Sequence, residues 1–280
     1  MKILVIGSNG QIGSSLIKEL KDYKVEYLNK EQLDCRNLEA LKNYFINKSY
    51  DYVINAVAYT KVDQAEVDKD KAKLLNATYP NELSKILKKL NCALIHYSTD
   101  YVFVGTKTSD YFEQSIPNPL NIYGKTKLLG DLSILRQKIN GYILRVSWVY
   151  GNKDHSFLNK IQKQIDKKNP LRVVDDQVGT PTSSIFIAKI TRKLIELKNI
   201  KPIKIYNLSP KEKCSWFDFA NEYLRLKKIK TPIKNIKTDL IQQNAKRPKS
   251  VKLNSSKLEQ LLQTSFPNWR QVLKDYLNER

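Results

Sequence analysis

Tyr123 and Lys127 are the pair of residues whose types and spacing point most directly to chemistry. They stand at the two ends of Tyr123-Gly124-Lys125-Thr126-Lys127, and side chains four residues apart share one face of a helix. A free tyrosine titrates near pH ~10, too high for ready proton exchange at neutral pH. An ammonium ~5 Å from the phenol, at an effective dielectric of ~20, favours the phenolate by about 3 kcal/mol, or roughly two pKa units. We therefore predict that Lys127 lowers the pKa of Tyr123 and makes it a usable general acid, although Tyr-x-x-x-Lys alone is a weak signal.

A second polar group stands upstream, at the end of a predicted strand. The run Ser98-Thr99-Asp100-Tyr101-Val102-Phe103 follows the segment Ala93–His96. Because ligands of open parallel sheets bind at the carboxyl ends of the strands, two hydroxyls and a carboxylate leaving a strand there are placed to hold a substrate carbonyl oxygen. His96 itself falls inside the strand, and we expect a hydrogen-bonded core histidine rather than part of a Ser/His/acid relay.

Three of the 9 glycines of the 280-residue chain lie within one short stretch. Gly7-Ser8-Asn9-Gly10-Gln11-Ile12-Gly13 follows a predicted strand and opens a predicted helix. In a dinucleotide site the first glycine permits a tight turn, the second lets the backbone approach a pyrophosphate and the third lets helix and strand pack closely. The helix N-terminus attracts the phosphate charge. The position of the motif between strand and helix predicts a dinucleotide-binding site.

The end of the second predicted strand bears on which dinucleotide is bound. NAD-specific sites place a carboxylate there, about 20 residues after the glycines, whereas this chain has Leu28-Asn29-Lys30-Glu31. A lysine with no acid at Asn29 favours a 2′-phosphate, so NADPH is the predicted cofactor and Lys30 its predicted contact. Glu31 leaves NADH open, and an ordinary solvated lysine is the alternative for Lys30. Asp34 is a further candidate contact, on the adenine side.

Apolar, β-branched runs alternate with segments of helical spacing along the first half of the chain. This alternation predicts an α/β fold with a Rossmann-type, doubly wound parallel sheet. We assign residues 1–150 to this dinucleotide-binding domain, with return segments near 171–208, and residues 151–280 mostly to a smaller, mainly helical substrate-binding lobe. The predicted elements are strands at Lys2–Ile6, Val25–Leu28, Tyr52–Val57, Ala93–Thr99, Tyr142–Trp148, Leu171–Val174 and Lys204–Leu208, and helices at Gln11–Lys21, Leu38–Asn47, Lys71–Leu90, Ile122–Gln137, His155–Lys167, Ser183–Leu197, Ser215–Leu226 and Asn268–Leu277.

The composition excludes several classes of protein. The formal net charge is +21, but most of the basic residues are lysines spread over the whole length, whereas nucleic-acid sites rely on clustered arginine. We expect no nucleic-acid partner; the charge reflects either a solvated basic surface or attraction of phosphate-bearing ligands.

The chain has no apolar run of the ~18 residues needed to cross a bilayer and no signal-peptide pattern, so we expect a cytoplasmic protein without a membrane partner. Three scattered cysteines and two histidines, His96 and His155, predict neither a disulfide framework nor a metal centre.

Taken in order, the motifs resemble one family. They are Gly7–Gly13, Asn55–Glu66, Ser98–Phe103, Pro119–Lys127, Ser147–Tyr150, Asp176–Thr182 and Arg247-Pro248. Over nearly the whole chain this series resembles the dTDP-4-dehydrorhamnose reductases, extended members of the short-chain dehydrogenase/reductase superfamily. The stretches INAVAYTKVDQAE, STDYVF and DQVGTPT are much more specific than the generic superfamily motifs.

The resemblance implies a role for individual residues. Those implied as catalytic are Thr99, Tyr123 and Lys127. Those implied at the cofactor are Gly7, Gly10, Gln11, Ile12 and Gly13 at the pyrophosphate, Asp34 and Cys35 near adenine, and Ala56, Ala58 and Tyr59 along the cofactor channel. Asp100, Tyr101 and Trp148 are implied on the substrate side.

The activity that the resemblance implies is NADPH-dependent reduction of the C4 ketone of dTDP-4-dehydro-L-rhamnose to dTDP-L-rhamnose. Two alternatives stay open: reduction of another 4-keto-6-deoxy sugar nucleotide, and a non-catalytic NADP-binding role like that of the regulatory subunits of methionine adenosyltransferase. Family members that dimerise around Mg²⁺ look to use carboxylates where this chain has Ser15 and the segment Ser183–Ile187. Since Mg²⁺ is usually bound through carboxylates, we expect a monomer or a metal-independent dimer.

Overall fold

The protein is described by a computed structural model over residues 1–154, 156–197 and 202–279; His155 lies outside the described residues. The strands are β1 (Lys2–Ile6), β2 (Lys24–Leu28), β3 (Tyr52–Asn55), β4 (Ala93–Thr99), β5 (Gly141–Val146), β6 (Val149–Tyr150), β7 (Leu171–Val174), β8 (Val178–Gly179), β9 (Thr182–Ser183), β10 (Lys204–Leu208), β11 (Cys214–Ser215) and β12 (Ile233–Ile236). The helices are α1 (Gln11–Glu19), α2 (Leu38–Tyr44), α3 (Val62–Ala65), α4 (Lys69–Lys73), α5 (Tyr79–Lys89), α6 (Ile122–Gln137), α7 (Phe157–Asp166), α8 (Ser184–Glu196), α9 (Trp216–Leu226), α10 (Ser256–Leu261) and α11 (Trp269–Asn278). A π-helical turn, Leu74–Thr78, joins α4 to α5, and 3₁₀ turns lie at Asp100–Val102 and Thr238–Leu240.

A parallel sheet forms the centre of the molecule. Among the described residues it has six strands in the order β10-β5-β4-β3-β1-β2, and every neighbouring pair is parallel. Its inner strands are nearly continuous apolar runs because helices cover both faces, and all of β4 is buried. The direction in which the chain winds reverses between β1 and β3, which opens a crevice at the carboxyl ends of these strands, where such folds bind ligands.

Two apolar clusters cover the two faces of this sheet. One is built with Leu16 of α1 and with Ile187 and Leu194 of α8. The other is built with Leu83 of α5 and Ile134 of α6. The predicted Rossmann-type, doubly wound α/β fold is therefore confirmed.

The second half of the chain contributes both to this sheet and to a lobe of its own. β10 pairs with β5 at the edge of the sheet, and α8 packs against α1. β7 instead pairs with β12, so the return to the sheet near 171–208 is made by α8 and β10. The lobe has its own apolar cluster, which includes Trp269 of α11 and Phe219 of α9.

The region predicted as one helix, Lys71–Leu90, is divided by the π-helical turn. The turn lies against α6, where a Cβ on Gly130 would collide with the carbonyl oxygen of Asn76. Asn76, fully buried, accepts a hydrogen bond from the Tyr59 backbone N–H at 2.8 Å and donates to Thr126 Oγ1 at 3.1 Å. Single π turns inside helices often occur at functional sites, and this one fixes the loop after β3.

Candidate active site

A cavity of about 540 Å³ lies in the crevice at the carboxyl ends of β1, β3, β4 and β5. Of the residues predicted from the sequence, its lining contains Gly10, Gln11, Ile12, Ala56, Ala58, Thr99, Asp100, Tyr101, Tyr123, Lys127 and Trp148. Gly7, Gly13, Lys30, Asp34, Cys35 and Tyr59 lie outside the lining. The lobe adds Phe157, Lys160 and Trp216. The cavity thus joins the glycine turn to the predicted catalytic residues.

The glycine turn has the geometry of an anion-binding cradle. Gly7 has φ +88°, a conformation that favours glycine. A Cβ on Gly13 would lie 2.7 Å from Ser8 Cα, so only glycine lets α1 approach the turn this closely. Gly10 precedes α1, no side chain caps the helix there, and its first turn carries no acidic residue. The N–H groups of this helix end are therefore available to a pyrophosphate, and the residues present fit a dinucleotide.

The loop after β2 gathers positive charge. Asn29 Oδ1 accepts hydrogen bonds from the backbone N–H groups of Glu31 and Gln32, which forms the turn that carries Lys30. Arg36 forms an ion pair with Asp34 at 2.5 Å, and hydrogen bonding to Arg36 lowers the pKa of Asp34, to which the charge of Lys30 also contributes. Lys30 and Arg36 are thus two cations beside the one Asp34 carboxylate, and this local excess of positive charge suits a cofactor with a 2′-phosphate. Arg36 is a candidate contact that the sequence interpretation missed.

Cys35 and Tyr59 are oriented away from the cavity. The Cys35 side chain is buried in the apolar cluster beneath the sheet, and burial raises the pKa of its thiol to about 11. The Tyr59 hydroxyl donates to Asp68 Oδ2 at 2.9 Å. Any contact of Cys35 with adenine would be through its backbone.

Thr99 and Asp100 form a buried hydrogen-bonded pair beside the half-buried Tyr123. The Thr99 hydroxyl lies 3.2 Å from Asp100 Oδ1, to which it donates, and both residues line the cavity together with Tyr123. Ser147 Oγ donates to Asp100 Oδ2 at 2.8 Å. Burial raises the pKa of Asp100 to about 6. The ring of Tyr101 meets that of Tyr123 edge-on, with centroids 5.5 Å apart.

The expected lowering of the Tyr123 pKa is not found. Burial raises the pKa of this phenol, and the nearby Thr99 hydroxyl only partly opposes the effect. Lys127 is itself buried, with 1% of its surface exposed, and burial lowers its pKa to about 8. The prediction assumed a fully charged ammonium in a medium of moderate dielectric, whereas desolvation disfavours the charged forms of both residues. The phenol consequently holds its proton in the resting site.

Trp148 and Trp216 form an aromatic wall on the lobe side of the cavity. Their rings are stacked, with centroids 3.6 Å apart and planes 4° from parallel. Trp148 has φ +44°, and its indole packs so closely on Gly179 that a Cβ there would lie 2.6 Å from the indole nitrogen. Trp216 was not identified from the sequence, because only the fold brings α9 to this site.

Arg247, noted in the sequence only as part of a motif, lies near Tyr101, outside the cavity lining. Its guanidinium forms a 2.5 Å ion pair with Asp63, just inside α3. Burial raises the pKa of Tyr101 to about 12, and the charge of Arg247 opposes this effect. The ion pair thereby holds an arginine from the second half of the chain near a predicted substrate residue.

The chain is similar to known proteins over its whole length. The family model "RmlD substrate binding domain" matches residues 1–280. The chain is 34% identical to the spore coat polysaccharide biosynthesis protein SpsK of Bacillus subtilis, covering 100% of this chain and 98% of that protein. It is 34% identical to a dTDP-4-dehydrorhamnose reductase of Aggregatibacter actinomycetemcomitans, covering 98% and 97%.

A solved structure is also similar over the full length. It is the dTDP-4-dehydrorhamnose reductase of Bacillus anthracis in complex with NADP, at a TM-score of 0.94 and 29% identity, covering 100% of this chain and 99% of that one.

Proposed function

The chain belongs to the dTDP-4-dehydrorhamnose reductase family, and from this premise we propose that it reduces the C4 ketone of dTDP-4-dehydro-L-rhamnose to dTDP-L-rhamnose with NADPH. One observation carries the proposal: the Tyr123 phenol and the Thr99 hydroxyl line the same cavity, which begins at the uncapped end of α1. A general acid is thus next to a dinucleotide cradle.

The cofactor would be held along the carboxyl edge of the sheet. Gly7, Gly10, Gln11, Ile12 and Gly13 would bind the pyrophosphate, with Ala56, Ala58 and Tyr59 along the channel and Asp34 and Cys35 near adenine. Lys30 would contact the 2′-phosphate, supported by Arg36 close by. When bound, NADPH supplies the hydride that the carbonyl carbon accepts.

Tyr123 supplies the proton to the carbonyl oxygen. Its raised pKa keeps the phenol protonated until charge develops on that oxygen. Thr99 would turn its hydroxyl from Asp100 to the same oxygen. The Lys127 ammonium stabilises the phenolate that forms, and a positioned general acid of this kind contributes about 10²–10⁴-fold to the rate.

The sugar nucleotide would lie between Asp100 and the aromatic wall. Asp100 and Tyr101 line the cavity beside the phenol, and Trp148 lines its lobe side together with Trp216. A flat aromatic surface beside polar groups is typical of sites that orient a ligand by stacking and by a few hydrogen bonds.

The protein would act as a monomer or as a metal-independent dimer in the cytoplasm, without nucleic acid or membrane. Within the described ranges no group of three or more His, Cys, Asp or Glu residues could hold a metal ion, and no helix there is long and apolar enough to span a bilayer. Ser15, on α1, is hydrogen-bonded to Ser184 of α8 at 2.8 Å. Sedimentation with and without EDTA should give the same mass, and a dimer that dissociates only on chelation would contradict the proposal.

The test is NADPH oxidation by the purified protein, followed by nicotinamide absorbance, with a panel of 4-keto sugar nucleotides. The highest kcat/KM is expected for dTDP-4-dehydro-L-rhamnose. Preference for another sugar would favour the related reductases, a reading supported by the similarity to a spore coat polysaccharide protein. NADPH binding without oxidation of any member would favour the non-catalytic alternative.

A further inference from the structure

Behind the catalytic residues lies a buried chain of polar groups that the proposed mechanism does not use. The Val57 backbone N–H donates to Asn55 Oδ1 at 3.1 Å. The Nδ2 of Asn55 lies 3.0 Å from His96 Nδ1, and His96 Nε2 lies 3.1 Å from Lys127 Nζ. Asn55 and His96 are each at most 1% exposed, so every partner in the chain is a protein group.

The direction of these hydrogen bonds follows from the first of them. A backbone N–H can only donate, so it fixes Asn55 with its oxygen toward Val57 and its NH₂ toward His96. His96 Nδ1 must then accept, and a neutral imidazole that accepts at one nitrogen carries its proton on the other. The N–H at Nε2 therefore points at Lys127 Nζ. An ammonium has no lone pair to receive it, whereas a neutral amine does.

We propose that His96, held as the Nε2–H tautomer by Asn55, donates to a neutral Lys127 amine and thereby sets the pH at which Lys127 gains its proton. His96 is in this view a positioning residue that acts through Lys127. The inference deepens the proposed function, on which its kinetic consequence rests. The tautomer itself is a property of the free protein.

The buried charges near Lys127 agree with a neutral amine. Asp131, one turn along the same helix, and Arg145 of β5 are both buried, and Arg145 Nε lies 3.6 Å from Asp131 Oδ2. That oxygen also accepts from Ser98 Oγ at 2.7 Å. Asp131 is thus already paired with Arg145, and its charge raises the pKa of Lys127 by less than burial lowers it. Unpaired charge is strongly disfavoured in such an interior.

The other groups around Lys127 are also compatible with a neutral amine. Its Nζ donates to the Tyr97 carbonyl oxygen at 2.7 Å, which an amine can do while its lone pair accepts from His96. Asp100, in the turn after β4, acts on the Tyr123 phenol. Burial lowers the pKa of Lys127 to about 8, with Asp131 opposing the effect, and burial keeps His96 neutral by lowering its pKa.

The kinetic consequence is an alkaline limit to the reduction. The ammonium form of Lys127 stabilises the phenolate, so the rate should fall as the pH rises through about 8. His96 moves this limit downward because its N–H opposes the ammonium. A residue that presented an acceptor instead would move the limit upward.

The first test reads the tautomer directly by ¹⁵N NMR of protein labelled at histidine. The chain has 2 histidines, so His155→Gln leaves a single histidine signal and assigns it to His96. Protonated and bare ring nitrogens differ in ¹⁵N frequency, and we expect the proton on Nε2 from about pH 6 to about pH 9. Asn55→Asp, which offers Nδ1 an acceptor, should move the proton to Nδ1 and supplies the reference signature. A proton on Nδ1 in the unaltered site, or an imidazolium in that range, would overturn the proposal.

The second test is the pH profile of kcat/KM for His96→Gln, with His155→Gln as the matched control. The Gln amide can turn its oxygen toward Lys127, so the alkaline limb should move up by about one pH unit or more, while the control keeps the limb of the unaltered protein. An unmoved or lowered limb in an active His96→Gln variant would refute the role of His96. If no sugar nucleotide is turned over, the proposed function fails while the NMR result still decides the tautomer.

Discussion

Gly13→Ala should destabilise the free protein even though it replaces glycine inside a helix. At an exposed helix position the change from glycine to alanine gains about 1 kcal/mol. At Gly13 the new methyl would lie 2.7 Å from Ser8 Cα and 2.9 Å from the Gly7 carbonyl carbon, with the Gly7 oxygen closer still. All of these are backbone atoms, so no side chain can rotate to make room.

The size of this loss of stability depends on how far α1 must move to make room for the methyl group. Overpacking of a filled interior costs about 1–3 kcal/mol, occasionally more, which exceeds the gain in helix propensity. After the two terms are combined, we expect the free energy of unfolding to fall by up to about 2 kcal/mol. The sign is the decisive quantity, because propensity alone predicts stabilisation.

Urea unfolding of the ligand-free protein, followed by circular dichroism, measures this change. Gly10→Ala is the matched control, since its methyl would meet the Gly7 oxygen at 3.3 Å and the backbone has an ordinary φ of −75°. As the residue before the helix, it should lose less than about 1 kcal/mol. A Gly13→Ala protein as stable as Gly10→Ala, or more stable than the unaltered chain, would refute the close-packing argument.

Three further outcomes are expected. Tyr123→Phe should lower kcat by about 10²–10⁴-fold with little change in NADPH affinity, whereas Tyr101→Phe, which removes a neighbouring hydroxyl, should mainly raise KM; full turnover in the first variant would remove Tyr123 from the mechanism. Lys30→Glu should lower kcat/KM with NADPH relative to NADH by about 10–100-fold, because a charge-assisted contact is worth about 1.5–3 kcal/mol; an unchanged ratio would place the 2′-phosphate elsewhere. Asp100→Asn should gain stability relative to the unaltered protein as the pH rises from about 4 to 7. Burial raises the pKa of the Asp100 carboxyl from 3.8 to about 6, so this group stabilises the fold only while it is protonated, and the unaltered protein loses about 2–3 kcal/mol over this interval. Urea midpoints of the two proteins that stay parallel across the range would contradict the reasoning.

Local patterns were sufficient to predict the sheet and the turn at its edge. The apolar strand Lys2–Ile6 and the glycines after it report on their own neighbourhood, so their spacing carries the information. Ile122–Gln137 has the bounds that were predicted from helical spacing. These elements place Tyr123 and Lys127 on one helix beside the end of β4, as the sequence indicated.

The remaining features depend on contacts between distant parts of the chain. The π turn at Leu74–Thr78 exists beside Gly130 of another helix, and Trp216 reaches Trp148 only through the fold of the lobe. The sign of the Tyr123 pKa shift was predicted wrongly for the same reason: desolvation depends on every element packed around the phenol, whereas the spacing to Lys127 records one neighbour.

The position of β10 in the central sheet has a consequence for synthesis of the chain on the ribosome. The glycine turn and the first five sheet strands emerge early, but the edge beside β5 stays unpaired until Lys204–Leu208 has left the exit tunnel. The apolar cluster on that face also includes Ile187, Leu258 and Phe266. A nascent or prematurely terminated chain that ends before Phe266 therefore presents an open strand edge and uncovered apolar surface, both of which promote aggregation. The ribosome must therefore deliver nearly all of the chain before the face of the sheet that α1 and α8 cover is sealed.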